Sequence, residues 1–415
     1  MPAALIGSVW HCLVSGLIVT INPARDRRVE KIHAWAGGIA GGGTMSVLLN
    51  LWARWWMMAV GIMLLGLLFL AGPMGWDAPS RKPAALPALA AQLHGTTVSG
   101  ISSGAYMAGQ FQLAHADIVS GAGIIAGGPY ACAESAFAGV VPDSGTVFLN
   151  ASRAVNGCML NALAMWGIPD PALLAGKART FSNENKIGAI ADVTTDRLYL
   201  FSGQEDTVVK PPIVAAAVAF YRNLGVPDGN ILYVSDVPAG HAFVTTDSGG
   251  ECSVSRSPYI TDCDYDQAGV MLKQLLGQLA PPQEQLAGRF LEFDQDPFTE
   301  NIYDHGMGPS GVVFIPDSCR DEAGCRLHVA FHGCLQNRAA VGDAFIKESG
   351  LARWAASNRL IVLFPEVSTG ALNPQGCWDW WGYTGRQYLT RDAAQIRAVR
   401  AMLDRLAGPA ASASL

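Results

Sequence analysis

The segment Val98-Ser99-Gly100-Ile101-Ser102-Ser103-Gly104-Ala105-Tyr106-Met107 constrains this chain more than any other. A short apolar strand pattern enters G-x-S-x-G and leaves as a helix pattern. A serine placed this way sits on a strained turn at the end of a sheet strand. Its hydroxyl is exposed, and the next backbone N–H can face a developing negative charge. The pentapeptide also fits a plain Gly/Ser turn in a chain with 46 glycines. The rest of the sequence must therefore supply a sheet and chemical partners.

The sheet is legible. Strand patterns fall at 96–98, 124–126, 197–202, 231–235, 290–293, 311–315, 327–331 and 360–364. Helix patterns fall at 104–115, 211–223, 264–279, 339–358 and 391–406. Strands alternating with helices of 10 to 20 residues indicate an α/β fold on a mostly parallel sheet flanked by helices. The pattern is expected to form one catalytic domain over 95–408, preceded by an Ala/Pro-rich linker at 79–94 and followed by a short tail at 409–415.

Half of the 415 residues are apolar and 15% are charged, so a large core is available. Net charge is −6, and the first 78 residues carry five Lys or Arg against three Asp or Glu, which leaves the body near −8. An acidic body argues against nucleic acid as a partner. No phosphate-binding Gly-rich loop and no dinucleotide fingerprint occur in the sequence, and no cofactor is expected.

Eight of the nine cysteines lie in the body, with no C-x-x-C pair, so a metal site is not expected and disulfides in an oxidising compartment are. The tight spacings favour Cys252–Cys263 and Cys319–Cys325, leaving Cys132–Cys158 and Cys334–Cys377; this is a preference among 105 connectivities. Export is also read from the leader. Arg54 precedes an apolar run from Met57 to Leu70, so 45–78 reads as a signal peptide or a membrane anchor, with Ala88-Leu89-Ala90 as a candidate cleavage site. Residues 1–44 are a doubtful extension, either an apolar hairpin arm with a basic loop or the product of a start codon assigned too far upstream.

A serine nucleophile needs a base, and the base needs an orienting acid. Strand 197–202 ends in Gly203-Gln204-Glu205-Asp206-Thr207, which offers Asp206, with Glu205 as the alternative. Strand 231–235 leads through Val237-Pro238-Ala239-Gly240 to His241. Ser102, Asp206 and His241 thus follow strands in the order nucleophile, acid, base. Strand 327–331 runs into His332-Gly333-Cys334-Leu335-Gln336. A His-Gly turn after the third strand is the oxyanion loop of many esterases, and here the amide of Cys334 would be the donor. That loop normally precedes the nucleophile, whereas here it comes 230 residues after it. The strands at 290–293, 311–315 and 327–331 match the usual first three, so the order is that of a circularly permuted α/β-hydrolase.

These segments resemble the extracellular poly(3-hydroxybutyrate) depolymerases with a permuted catalytic domain, in their single-domain form. The resemblance covers about 95–408. It rests on Ser99 to Met107, Ala126-Gly127-Gly128-Pro129-Tyr130-Ala131-Cys132 and Ser202 to Val209. It continues through Cys263-Asp264-Tyr265-Asp266, His332 to Gln336 and Gly376-Cys377-Trp378-Asp379-Trp380. It implies Ser102 as nucleophile, Asp206 as acid and His241 as base, with the amides of Ser103 and Cys334 as the oxyanion hole. It implies that Trp380 lines the acyl subsite, while Trp378 reads as core. A monomer acting on a polyester or oligoester is expected. Without a separate binding module, contact with a solid would fall to the rim around Ser102, including Trp380 and Tyr383. The rival readings are an esterase for feruloyl or acetyl esters of polysaccharide and a non-catalytic polymer-binding protein.

Overall fold

In the computed structural model Arg81–Leu415 forms one compact unit. The structure describes residues 82–410 apart from 137–138, 141–146, 160–166, 284, 301, 303 and 321. The expected leader and the residues before it lie outside the described residues.

The body is built on eight strands: β1 Thr96–Ile101, β2 Val119–Ile125, β3 Arg197–Phe201, β4 Ile231–Val234, β5 Gly288–Asp294, β6 Ser310–Pro316, β7 Arg326–Phe331 and β8 Leu360–Phe364. Their order across the sheet is β5-β6-β8-β7-β1-β2-β3-β4. Only β6 runs antiparallel to its neighbours. The first four strands of the chain thus form one half of the sheet and the last four the other. The halves meet where β1 pairs with β7. The mostly parallel sheet is the one the alternating strand and helix patterns indicate.

The seam between the halves carries a polar clamp. His328 on β7 is fully buried, and its two ring nitrogens hydrogen-bond Thr97 Oγ1 and Ser99 Oγ of β1, each at 2.8 Å. A buried imidazole must be satisfied on both sides. Here the partners sit two residues apart on one face of β1, so a slip of one residue would break both bonds. Burial lowers the His328 pKa to about 3, which keeps the ring neutral.

Helices cover the sheet: α1 Ser103–Ala114, α2 Val147–Gly157, α3 Pro171–Asn183, α4 Pro211–Leu224, α5 Gln267–Leu276, α6 Leu351–Ser357 and α7 Ala394–Ala407, with shorter turns between them. Helix α1 is buried along its whole length. Its two glutamines are satisfied accordingly, Gln110 by the carbonyls of Asp379 and Tyr388, and Gln112 by Asp196 and Tyr221. Helix α4 starts on Pro211-Pro212 and stops at Gly225, whose φ of 102° provides the left-handed cap.

Some sequence expectations need correction. The helix read over 339–358 is three pieces, Arg338–Val341, Ala344–Glu348 and Leu351–Ser357, because Gly342 and Gly350 take φ of 61° and 79° and break the ladder. Strand β2 starts at Val119, five residues earlier than read, because glycines at 121 and 123 interrupt its apolar run. Helices α2 and α3 were not read at all, although Asp170 caps α3 through the N–H groups of Ala172 and Leu173. From Ala84 onward the Ala/Pro-rich stretch is docked on the body. Leu86 is 2% exposed. Leu89 N–H donates to Leu406 O, Ala90 N–H to Gly408 O and Gln92 N–H to Cys325 O. A cut after Ala90 would remove Leu86 from the core, at a cost of about 1.5–3 kcal/mol.

Candidate active site

Strand β1 delivers Ser102 at the N-terminus of α1 with φ 57° and ψ −123°. A residue with a Cβ rarely adopts this conformation, which stores about 1–3 kcal/mol of strain. The flanking glycines make it possible. A Cβ on Gly100 would lie 2.2 Å from Gly104 O, and a Cβ on Gly104 would lie 2.2 Å from Phe331 O. Both side chains are excluded by backbone, so the start of α1 is pressed against the end of β7.

Asp206 and His241 follow β3 and β4 at the same edge of the sheet. Asp206 Oδ1 accepts the N–H groups of Val208 and Val209 at 2.8 and 2.9 Å, which fixes the carboxylate. Its Oδ2 lies 2.8 Å from His241 Nδ1. Both residues are buried, whereas Glu205 is exposed, and Asp206 is the acid in contact with the imidazole. The histidine loop is held from behind. His241 N–H donates to Ser255 Oγ at 2.6 Å, and Gly240 N–H donates to Cys252 O beside the Cys252–Cys263 bridge. With Nδ1–H given to Asp206, Nε2 keeps its lone pair.

The loop after β7 is tied down at successive residues. His332 Nδ1 lies 2.8 Å from Gly333 O and donates to it, since Val367 N–H approaches Nε2 at 3.5 Å. Gly333 N–H donates to Gln336 Oε1 at 2.8 Å, and Leu335 N–H to Gln375 O at 2.8 Å. Gln336 Nε2 reaches the carbonyls of Pro258 and Tyr259. Cys334 is bridged to Cys377. Of the three N–H groups at 333–335, only that of Cys334 has no hydrogen-bond partner among the described residues. It belongs to the peptide whose carbonyl His332 holds. The loop also lies against the elbow: a Cβ on Gly333 would stand 3.4 Å from Ser102 Cβ.

All four disulfides pair as the spacing favoured. Trp378 is fully buried against Phe331 and belongs to the core. Trp380 is 4% exposed and stacks on Tyr106 with ring centroids 4.0 Å apart. Its Nε1–H has no partner among the described residues. Tyr383 differs. Its hydroxyl is engaged with Cys377 O, Asn373 and Gln395. Its ring lines a cleft of about 490 Å³ with His305, Met307 and Leu372, and Ser102, Asp206 and His241 do not line that cleft.

Sequence reasoning singled out neither Ser255, Asp379 nor Glu366 as site residues. Asp379 accepts N–H bonds from Trp381, Gly382, Tyr383 and Thr384 and the Thr384 hydroxyl, and so shapes the loop that presents Trp380. Glu366 stands two residues beyond β8, a strand-end position that could have marked it. Among the described residues no cluster of three or more His, Cys, Asp or Glu could hold a metal ion.

A serine elbow on the central strand of such a sheet, with the acid–histidine pair on neighbouring strand ends, places the chain in the α/β-hydrolase class. No protein-family model matches the chain. A poly(3-hydroxybutyrate) depolymerase of Delftia acidovorans is 38% identical over 326 residues, 77% of this chain. The match spans 61% of that relative's length. A polyhydroxybutyrate depolymerase of Talaromyces funiculosus is 35% identical over 332 residues, 76% of this chain and 90% of that relative. The crystal structure of PHB depolymerase from Penicillium funiculosum matches with a TM-score of 0.69 at 32% identity, over 78% of this chain and 99% of that one. A PHB depolymerase complexed with an R3HB trimer matches equally well. The chain belongs to the poly(3-hydroxybutyrate) depolymerase family.

Proposed function

We propose that this protein is a serine esterase that hydrolyses the ester bonds of poly(3-hydroxybutyrate) or its oligomers. The observation that carries the reading is the strained Ser102 elbow at the same sheet edge as the 2.8 Å Asp206–His241 contact. Ser102 Oγ attacks the ester carbonyl while His241 Nε2 takes its proton. The oxyanion binds the N–H groups of Ser103 and Cys334; removing one such donor typically costs about 10²–10³ in turnover. His241 then protonates the departing 3-hydroxyl, and water repeats the sequence on the acyl-enzyme. Asp206 holds the imidazole in the tautomer that frees Nε2 and stabilises the imidazolium that forms. Ser102 Oγ has no hydrogen-bond partner among the described residues, and such contacts commonly tighten only when substrate arrives.

The substrate follows from the relatives, since a fold does not fix a substrate. Trp380 offers a flat apolar wall for a methyl-bearing, uncharged acyl unit. Exposed apolar side chains such as Leu335, next to the Cys334 donor, offer contact with a solid. Four disulfides fit an exported protein in an oxidising compartment. Because Leu86 is part of the core, cleavage of a leader belongs upstream of Ala84.

The test is product analysis on amorphous granules, crystalline film, soluble 3-hydroxybutyrate oligomers and feruloyl esters. It is paired with labelling of Ser102 by an organophosphonate. Release of 3-hydroxybutyrate units by the wild type, with no release and no label in Ser102→Ala, is the expected result. Preference for feruloyl esters would move the substrate, and absence of labelling would remove the mechanism.

A further inference from the structure

Among the buried acids that the mechanism leaves unused, Glu366 is the one beside the oxyanion loop. Glu366 is 6% exposed and stands behind the loop that carries the Cys334 donor. Its Oε2 accepts Arg338 N–H at 2.9 Å and lies 3.7 Å from His332 Nε2. A single carboxyl oxygen thus touches both ends of the 332–338 segment. Between those ends His332 holds Gly333 O, and so sets the plane of the Gly333–Cys334 peptide.

We propose that Glu366 is a positioning residue for the oxyanion hole, acting through His332 and the Arg338 amide on the orientation of the Cys334 N–H. The inference rests on the esterase reading above. The protonation state required follows from the donors. His332 gives Nδ1–H to Gly333 O, so its Nε2, which accepts Val367 N–H at 3.5 Å, also presents lone-pair density to Glu366 Oε2 at 3.7 Å. A protonated carboxyl can sit against that lone pair, whereas a carboxylate repels it. Burial raises the Glu366 pKa to about 8 and lowers that of His332 to about 4, so both groups are neutral across the range between. The other charged groups facing Glu366 are the Arg338 guanidinium, which is shared with Glu292 and Asp343, and Asp343 itself. Above pH 8 the charge on Glu366 pushes the His332 ring away and loosens the peptide that it holds.

Turnover of a soluble 3-hydroxybutyrate oligomer against pH, in wild type, Glu366→Gln and Glu366→Ala, tests this. An amide with its oxygen at the Oε2 position keeps the acceptor for Arg338 N–H and, at any pH, brings no charge against His332. Glu366→Ala is expected to lower kcat on the order of 10²-fold with KM little changed, as expected for a misplaced transition-state donor. Glu366→Gln is expected to recover most of that loss and to keep its kcat above pH 8, where the wild type declines. An alkaline limb in Glu366→Gln identical to that of the wild type would overturn the proposal. So would Gln and Ala variants that are equally impaired. If Glu366→Ala does not fold, the pH limb of Glu366→Gln still decides. Failure of the esterase reading looks different: the wild type itself would then release no product and take no phosphonate label.

Discussion

Two acid–histidine pairs flank Ser102 in the order of the sheet. Asp206–His241 follows β3 and β4 on one side, and Glu366–His332 follows β8 and β7 on the other. The first is a hydrogen bond of 2.8 Å between a fixed carboxylate and the nitrogen that must carry a proton. The second is a looser approach of 3.7 Å, buried, with the imidazole's other nitrogen spent on a backbone carbonyl. The same two chemical groups therefore serve different ends. One pair moves a proton at the substrate, whereas the other holds a peptide still. What separates them is where the imidazole donates its N–H and whether the acid is charged.

The largest expected effect tests the first pair. Asp206→Asn should lower kcat by roughly 10⁴-fold, because the amide favours the wrong tautomer of His241. Glu205→Gln, at an exposed site, should leave kinetics near wild type. Steady-state assays of both would break the comparison if the losses were equal.

Next comes the loop that the second pair supports. Replacing Cys334 and Cys377 together by Ser should cost about 2–5 kcal/mol of stability. It should also lower turnover by roughly 10–10²-fold, because the Cys334 donor is freed. Opening Cys319–Cys325, which precedes β7 at the end of that strand away from the His332 loop, should lower the melting temperature and spare kcat. Denaturation and kinetics of the two double variants separate these outcomes.

Trp380→Ala should weaken oligomer hydrolysis by about 1.5–3 kcal/mol, while a short acyl nitrophenyl ester, which needs only the reacting groups, loses less. Equal losses on both substrates would make Trp380 a support for Tyr106 and remove it from the acyl subsite.

A smaller effect concerns stability. Glu366 has a folded pKa above the ordinary glutamate range, so the folded state binds more protons than the unfolded one up to about pH 8. Stability from this group is present at low pH and declines as pH rises toward 8. Asp196, raised to about 7, slopes the same way. His332 opposes them only below its ordinary value, where the unfolded imidazole gains a proton. Above about pH 7, the value to which Asp196 is raised, Glu366 continues this slope up to about 8. Chemical denaturation should give a falling stability there, flattened in Glu366→Gln.

The smallest effect is that of Ser103→Ala. Only the Ser103 amide is assigned to the oxyanion, and the lost hydroxyl accepts one 3.3 Å bond from Trp378 N–H, worth about 1 kcal/mol.

Most of the strands, the Gly100–Gly104 elbow, the residues of the Asp206–His241 pair and the four bridges are legible because each leaves a local mark. A strand ends, a glycine or polar residue follows, and the chemistry sits in the next few positions. Ser255 and Asp379 leave no such mark, and Glu366, although two residues past the end of β8, belongs to no motif that names it. Glu366 meets partners 28 and 34 positions away whose proximity only the closed sheet creates. The break at Gly342 and Gly350 was missed because the apolar spacing across them still fits a helix, and spacing does not report φ. The docked stretch after Ala84 was misread because Ala and Pro are as common in linkers as in extended segments lying on a surface.

The seam at His328 has a consequence for synthesis. Thr97 and His328 are 231 residues apart, so β1 emerges long before the strand that covers its open side. At about 5–20 residues per second the wait is roughly 10–50 s. Through that interval the strand bearing Ser102 presents unpaired N–H and C=O groups, open to any other extended chain. The Thr97 and Ser99 hydroxyls make that edge selective. They offer two polar partners where an apolar intruder has none, and only a strand with a histidine in register satisfies both.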